Sequence, residues 1–322
     1  LCLGTVDTWL LFCLTEGRTF ATDVSNASRT QLMDLLHTRW DPQLLALFGI
    51  PPEALPEIRC SDDLFGTTTL GGLFPQDVPI RAVMGDSHAA LYGAGCGREG
   101  MAKATYGTGS SVMLFTGRQP VVSRHGLAAT VAWGRNGQTY YGLEGNINYA
   151  GAAIEWLIHR AGLLTSADEA EALALQAAPA DRTVFVPAFT GLGAPHWAPE
   201  MRAAIVGMGS TTGRAEIVRA AVDSIAYQVT DVLRAMAEDV GQPAAQLFCD
   251  GGAVRNSYLM QRQSELLRSV IRVAENQDGS CAGAAKMAGE AAGLYGGDTV
   301  FGAWQREYRP QQSAAWAEAE YG

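Results

Sequence analysis

Histidine is scarce in this chain, five residues in 322, and basic side chains are outnumbered, 23 Lys and Arg against 33 Asp and Glu. The net charge is −10 and the few basic residues are scattered, so no patch of the nucleic-acid type forms and no nucleic-acid partner is expected. The six cysteines, at 2, 13, 60, 96, 249 and 281, include no pair with metal-ligand spacing. They argue against a disulfide frame, and since several fall in apolar runs they read as reduced core thiols of a cytoplasmic protein. No apolar run reaches membrane-spanning length and no charged segment heads a leader, so no membrane partner is expected. Sequence repeats and low-complexity tracts are also missing.

What is present is apolar mass. Hydrophobic residues make up 48% of the chain, ample for a large core and suited to two domains. The segment Gly97-Arg98-Glu99-Gly100 is the expected boundary, giving domains over 1–97 and 98–322. Leu1-Cys2-Leu3-Gly4 reads as the middle or exit of a strand with no Met before it, and Ala314 to Tyr321 reads as a helix cut short. Both suggest a piece of a longer protein.

Along the chain, 7–14 is an apolar helix or strand, a short helix falls within 41–60, and Val78 to Met84 is a strand. A helix of small residues, Ser87 to Cys96, follows. Strands are expected at 101–106, 111–116, 127–133 and 138–143, with Asn136-Gly137 as the hairpin turn between the last two. Helices are expected at 148–162, 166–178, 214–239, 256–269 and 280–295, and strands at 183–187, 203–206 and 246–249. Antiparallel strands followed by alternating helices and strands suit a mixed sheet.

Two glycine loops stand out. The run Leu247-Phe248-Cys249-Asp250 ends in Gly251-Gly252, and a helix follows Asn256. Glycine lacks the Cβ that would keep a phosphorylated nucleotide from the backbone. The second loop, Thr105-Tyr106-Gly107-Thr108-Gly109-Ser110-Ser111, sets a hydroxyl residue between two glycines. Thr108 suits a hydrogen-bond donor to a phosphate or a plain turn residue. Gly151 suits close helix packing or nucleotide contact, and Asn256 an N-cap or an adenine contact. Asp86 ends a strand and opens a helix, where a carboxylate takes a proton from a substrate hydroxyl or simply caps. His88 reads first as a packed side chain, and Glu144 as a structural hydrogen-bond acceptor. The loop Thr190 to Pro195 reads as a turn or a cleft wall.

Taken in order, Gly4-Thr5-Val6-Asp7-Thr8-Trp9-Leu10, Asn26-Ala27-Ser28-Arg29-Thr30, Gly85-Asp86, Lys103 to Gly109, Leu143-Glu144-Gly145, Phe189 to Trp197 and Asp250 to Val254 resemble the FGGY family of carbohydrate kinases over nearly the whole chain. The likeness is greatest to its glycerol kinase branch. The resemblance implies an α/β fold of two actin-like ATPase (ribonuclease H-like) domains with a nucleotide cleft between them. Residues 1–97 would be the carboxyl-terminal part of the first, substrate-side domain and 98–322 the second, nucleotide-binding one. It implies ATP-dependent phosphorylation of a polyol hydroxyl, glycerol to glycerol 3-phosphate, with ATP and Mg2+. Asp86 would be the general base, and Asp86 and Ser87 would hold the polyol or sugar. Gly107, Thr108, Gly109, Gly151, Glu155, Gly252 and Asn256 would bind nucleotide. A homodimer or homotetramer is the assembly the family implies.

The departures from the family are specific. Ser87 stands where Gln is usual, Ser111 where an aromatic packs on glycerol, and Glu155 where Gln contacts nucleotide. The first two enlarge and hydrate the pocket and favour a longer polyol or a ketose such as erythritol, xylulose or ribulose. Gly71-Gly72-Leu73-Phe74-Pro75 lacks the basic loop that binds a sugar bisphosphate regulator in some relatives. The family's amino-terminal phosphate loop and its Arg-Glu pair are not in these residues, so the chain alone is expected to be inactive. Two competing functions stay open on these residues: an actin-like ATPase of chaperone type, and an inactive regulatory fragment.

Overall fold

Strict alternation along the strands decides the centre of the fold. On the strand Ser110–Gly117, Val112 and Leu114 enter one apolar cluster while Met113 and Phe115 enter another on the opposite face. A sheet apolar on both faces has to be covered twice, and helices lie on each side. The computed structural model describes residues 1–275, 278–294, 296 and 304–321.

The sheet has seven strands: β1 (Met101–Tyr106), β2 (Ser110–Gly117), β3 (Ala128–Arg135), β4 (Gln138–Ile147), β5 (Gln246–Asp250), β6 (Ile271–Ala274) and β7 (Trp304–Tyr308). Their order is β7-β6-β5-β1-β2-β4-β3. β1, β5 and β6 run parallel, and the remaining neighbours are antiparallel. Asn136 and Gly137, with φ of 51° and 69°, make the β3–β4 turn that the Asn-Gly pair predicts.

Helices of eight or more residues are α1 (Val6–Leu14), α2 (Asp86–Gly93), α3 (Gly151–His159), α4 (Glu169–Gln176), α5 (Arg214–Val240), α6 (Ser257–Leu267), α7 (Gly279–Ala291) and α8 (Ala314–Tyr321). α5 fills one face of the sheet with Val218, Ile225, Val229, Val232 and Met236. Its first turn is held by the Glu216 carboxylate, which accepts from Gly213 N at 2.9 Å, and it stops at Gly241, φ 79°. On the other face α2 supplies Leu91 and Tyr92, and α7 supplies Met287. These two helices approach through small residues. A Cβ at Gly283 would fall 1.7 Å from Ala89 O, and one at Gly93 2.9 Å from Gly279 O. The chain before α2 adds short two-stranded ladders, and its Val24, Ala27 and Met33 pack on Val131 and Tyr141 of the main sheet.

Several expectations change at element ends. The strand placed at Val78 to Met84 is only Val78–Ile80, because the next residues find partners elsewhere: Arg81 donates to Ala291 O and Val83 N to Ser61 O. The helix placed at 148–162 starts at Gly151, because the N–H groups of Ala150 and Ala152 are tied to Thr108 O. The helix at 280–295 is α7, and Tyr295 lies outside the described residues. β6 and β7 are additions to the expected strands, formed by pairing of β6 on β5 and of β7 on β6. The cysteines need correction too. Cys96 and Cys249 are buried, but Cys2, Cys13 and Cys281 are exposed, because their turns of helix or chain face outward. Among the described residues no helix is long and apolar enough to cross a membrane.

Candidate functional site

A cleft of about 430 Å3 opens beside the carboxyl ends of β1 and β5, where an α/β sheet presents its loops. Its lining includes Gly107 and Thr108 from the loop after β1, and Gly252 and Asn256 from the loop after β5. Gly151 and Glu155 of α3 also line it, with Asp168 and Glu171 beside them and Ile154, Val222, Ile225 and Leu259 as apolar wall. Two glycines make the approach tight. A Cβ at Gly251 (φ 94°) would fall 2.6 Å from Tyr106 O, and one at Gly151 2.6 Å from Gly107 O. A Cβ at Gly252 would instead meet open space. The first loop is stapled to α3 by Gly151 N to Gly107 O and Ala152 N to Thr108 O, both 2.9 Å. Asn256 caps α6, its Oδ1 accepting from Leu259 N at 2.9 Å. The cap reading of Asn256 and its place in the cleft are compatible, since the side-chain amide keeps its donor end. Glu155 is exposed, 3.1 Å from His159.

Asp86 stands at the first turn of α2, exposed, with its Oδ1 accepting from Ser87 N at 2.7 Å. It is not the cap; Gly85 holds that position. A buried network fixes the turn before it. Asp23 accepts from Ser25 Oγ, Asn26 N and Ser61 Oγ, and Ser25 Oγ accepts from Gly85 N at 2.9 Å. Burial pushes the Asp23 carboxyl above the usual range, against the pull of those donors. Behind Asp86, His88 is 3% exposed, with Nε2 2.9 Å from Thr130 Oγ1. Burial, with the Arg29 cation nearby, lowers its pKa to about 3, so it is a neutral packed side chain.

A polar line runs from Ser87 toward β4. Ser111 Oγ, on β2, is 3.3 Å from Ser87 Oγ and 3.2 Å from Glu144 Oε1. Glu144 is 6% exposed and its other oxygen is 2.7 Å from Arg29 Nη2. Glu144 is thus the structural acceptor that its position in the sequence suggests. Since β2 leaves the Gly107–Gly109 loop directly, the Ser87–Ser111 contact seats the start of α2 beside the first glycine loop.

Six of the nine candidate residues, Gly107, Thr108, Gly151, Glu155, Gly252 and Asn256, line the one cleft. Gly109 does not; it sits behind the loop, where a Cβ would fall 2.4 Å from Ile147 O. Asp86 and Ser87 lie outside this cleft, at the α2–β2 contact. The loop Thr190 to Pro195 is also elsewhere, its Ala194 N bonded to Asn146 O at 3.2 Å. No sequence signal marks Val222, Ile225 or Leu259 as cleft wall, because they look like any buried helix residue. Among the described residues no group of three or more His, Cys, Asp or Glu is placed to hold a metal. A divalent cation here would need oxygen ligands from a bound phosphate beside a single carboxylate such as Asp86.

The model of the carboxyl-terminal domain of the FGGY family of carbohydrate kinases matches residues 102–292, and that of its amino-terminal domain matches residues 2–93. A glycerol kinase of Alkalilimnicola ehrlichii is 47% identical over 296 residues, 92% of this chain and 60% of that protein. One from Francisella tularensis subsp. novicida is 45% identical over 298 residues, 92% of this chain and 59% of that protein. The chain therefore spans about six-tenths of the length of the curated relatives it matches. The crystal structure of Plasmodium falciparum glycerol kinase with ADP superposes with a TM-score of 0.92 at 32% identity, covering 99% of this chain and 64% of that one. A ligand-bound xylulose kinase from Lactobacillus acidophilus gives 0.86 at 20% identity, covering 99% and 64%, a likeness of fold alone.

Proposed function

Because the chain belongs to the FGGY family of carbohydrate kinases, we propose that it carries the nucleotide cleft and the general base of a kinase that uses ATP to phosphorylate glycerol to glycerol 3-phosphate. One observation carries the reading: both glycine loops open on a single cleft, and the Ser87–Ser111 contact sets the Asp86 carboxylate beside the strand leaving the first loop. The names and the ADP of the glycerol kinase relatives support the same acceptor and nucleotide.

In this reading the turns at Gly107-Thr108 and Gly252-Ala253, which line the cleft, face the phosphates, and Ile154, Val222 and Ile225 take the base. Asp86 is exposed and its Oδ2 is open to accept the proton of the acceptor hydroxyl as that oxygen attacks the γ-phosphorus and the bond from the γ-phosphorus to the β–γ bridging oxygen breaks, releasing ADP. Mg2+ supplies charge neutralisation when bound with the nucleotide. Asp86 would be its protein ligand, since an exposed carboxylate suits a cation otherwise coordinated by phosphate and water. The division at residue 97/98 into a substrate-side part and a nucleotide domain is part of the proposal, supported by family models that meet between 93 and 102. A cytoplasmic location and a homodimer or homotetramer belong to it as well.

A second acceptor class is favoured by one feature. Ser87, Ser111 and the buried Glu144 give the site a run of hydrogen-bonding groups that offers partners for a further hydroxyl. A four- or five-carbon polyol or ketose fits that line better than an apolar wall would. The test is ATP-dependent phosphorylation of glycerol, erythritol, xylulose and ribulose by the gene product in full, with Asp86→Ala as control. Glycerol turned over best, and a loss on the order of 100- to 10,000-fold in Asp86→Ala, is the expected result. A longer acceptor turned over best would move the assignment to the second class. Full activity in Asp86→Ala would remove the base.

A further inference from the structure

Arginine supplies the positive charge of this chain almost alone; the sequence holds only two lysines, Lys103 and Lys286. Both are buried, 3% and 7% exposed. Lys103 Nζ lies 3.0 Å from Oδ1 of Asp250, itself 5% exposed, and also donates to Thr105 Oγ1. Asp250 is the last residue of β5 and pairs in register with Thr105 near the end of β1. One ammonium group therefore joins the two strands at the points where each turns into a glycine loop. The other oxygen of Asp250 faces the start of α7: a Cβ at Gly279 would fall 2.5 Å from Oδ2 and 3.5 Å from Ala90 Cβ on α2. α2 is the helix that Asp86 opens.

A buried ion pair is a poor source of stability, because desolvating two charges offsets most of their attraction. Apolar residues of similar volume would fill the site as well. What they would not supply is a fixed point, where one cation and one carboxylate set the spacing of two loops and a helix to within a hydrogen-bond length.

Resting on the kinase reading above, we propose that Lys103–Asp250 is a positioning pair for phosphoryl transfer. It locks the two nucleotide loops to each other and, through Gly279 of α7, to the helix bearing the proposed base. A misplacement of about 1 Å between reacting groups costs on the order of 100-fold in rate.

The test compares the full gene product with Lys103→Met/Asp250→Leu and with Gly279→Ala, measuring Tm, kcat and the KM for the polyol. The double replacement leaves no unpaired buried charge, so Tm stays near that of the wild type while kcat falls on the order of 100-fold. The KM for the polyol stays within about threefold, since its own contacts are untouched. Gly279→Ala pushes the Asp250 carboxylate aside without removing a charge, and shows the same split. A wild-type kcat in either folded variant overturns the proposal, because a purely structural pair predicts that turnover follows Tm. Lack of turnover by the wild type on every polyol would instead remove the kinase reading, and the pair's role with it.

Discussion

At the residue scale, His88 shows how burial sets a charge state. Its ring is enclosed by α2 and β3, with Arg29 and Asp86 as the charged groups nearby, and its pKa falls to about 3 from 6.5. The unfolded chain therefore takes up a proton first as pH drops. Stability from this group is full above pH 6.5 and is lost as pH falls from there toward 3, by up to about 1.4 kcal/mol per pH unit. Asp23 acts in the opposite sense, because its raised pKa lets the folded state hold a proton that the unfolded chain has released. The difference between wild type and His88→Gln isolates the histidine. Urea unfolding between pH 4.5 and 7.5 should give a flatter curve for the variant, and parallel curves would refute a neutral buried His88. The sequence allows a packed histidine here, but its partner Thr130 is 42 residues away and only the fold reveals it.

At the element scale, the contact between α3 and the first glycine loop explains both a residue and a boundary. Gly107 O and Thr108 O take the N–H groups of Gly151 and Ala152, so the helix starts there and nowhere earlier. Gly151→Ala would set a methyl 2.6 Å from Gly107 O. We expect it to weaken ADP binding by about tenfold while costing about 1–3 kcal/mol of stability, as overpacking does. Calorimetric titration with ADP beside thermal unfolding checks both, and unchanged affinity would mean that the loop does not need this spacing. The glycine loops and Asp86 are legible in the sequence because their chemistry is local: small residues, a hydroxyl and a carboxylate at strand ends. The Ser87–Ser111–Glu144–Arg29 line is not, because Arg29 and Glu144 are joined only when β4 lies across the short helices of the chain's first part. Helix limits escape a reading of the sequence where tertiary partners capture the terminal N–H groups.

At the scale of the whole molecule, the seven-stranded sheet is half legible. β3 and β4 announce themselves by the Asn-Gly turn between them, and β5 by the apolar run that ends in Asp-Gly-Gly. β6 and β7 carry no such mark and are held by pairing, β6 on β5 and β7 on β6. The sequence boundary near residue 97 is also no gap in packing, since α2, before it, is covered by α7, far beyond it.

The burial of both lysines has a consequence for handling the protein. Reagents that acylate amines find no exposed lysine side chain on the folded surface. Lys103 sits at the loop bases, and Lys286 is wedged beside Tyr92 in the α2–α7 joint, its Nζ 5.0 Å from the ring centroid. Modification of either therefore requires the interior to open, and its rate reports the free energy of that opening. Timed acetylation read by peptide mass spectrometry should find both lysines protected in native buffer and released together with unfolding. Prompt labelling of Lys103 alone would locate a local opening at the bases of the two glycine loops. Such a chain carries its own two-site gauge of breathing, with no engineered probe.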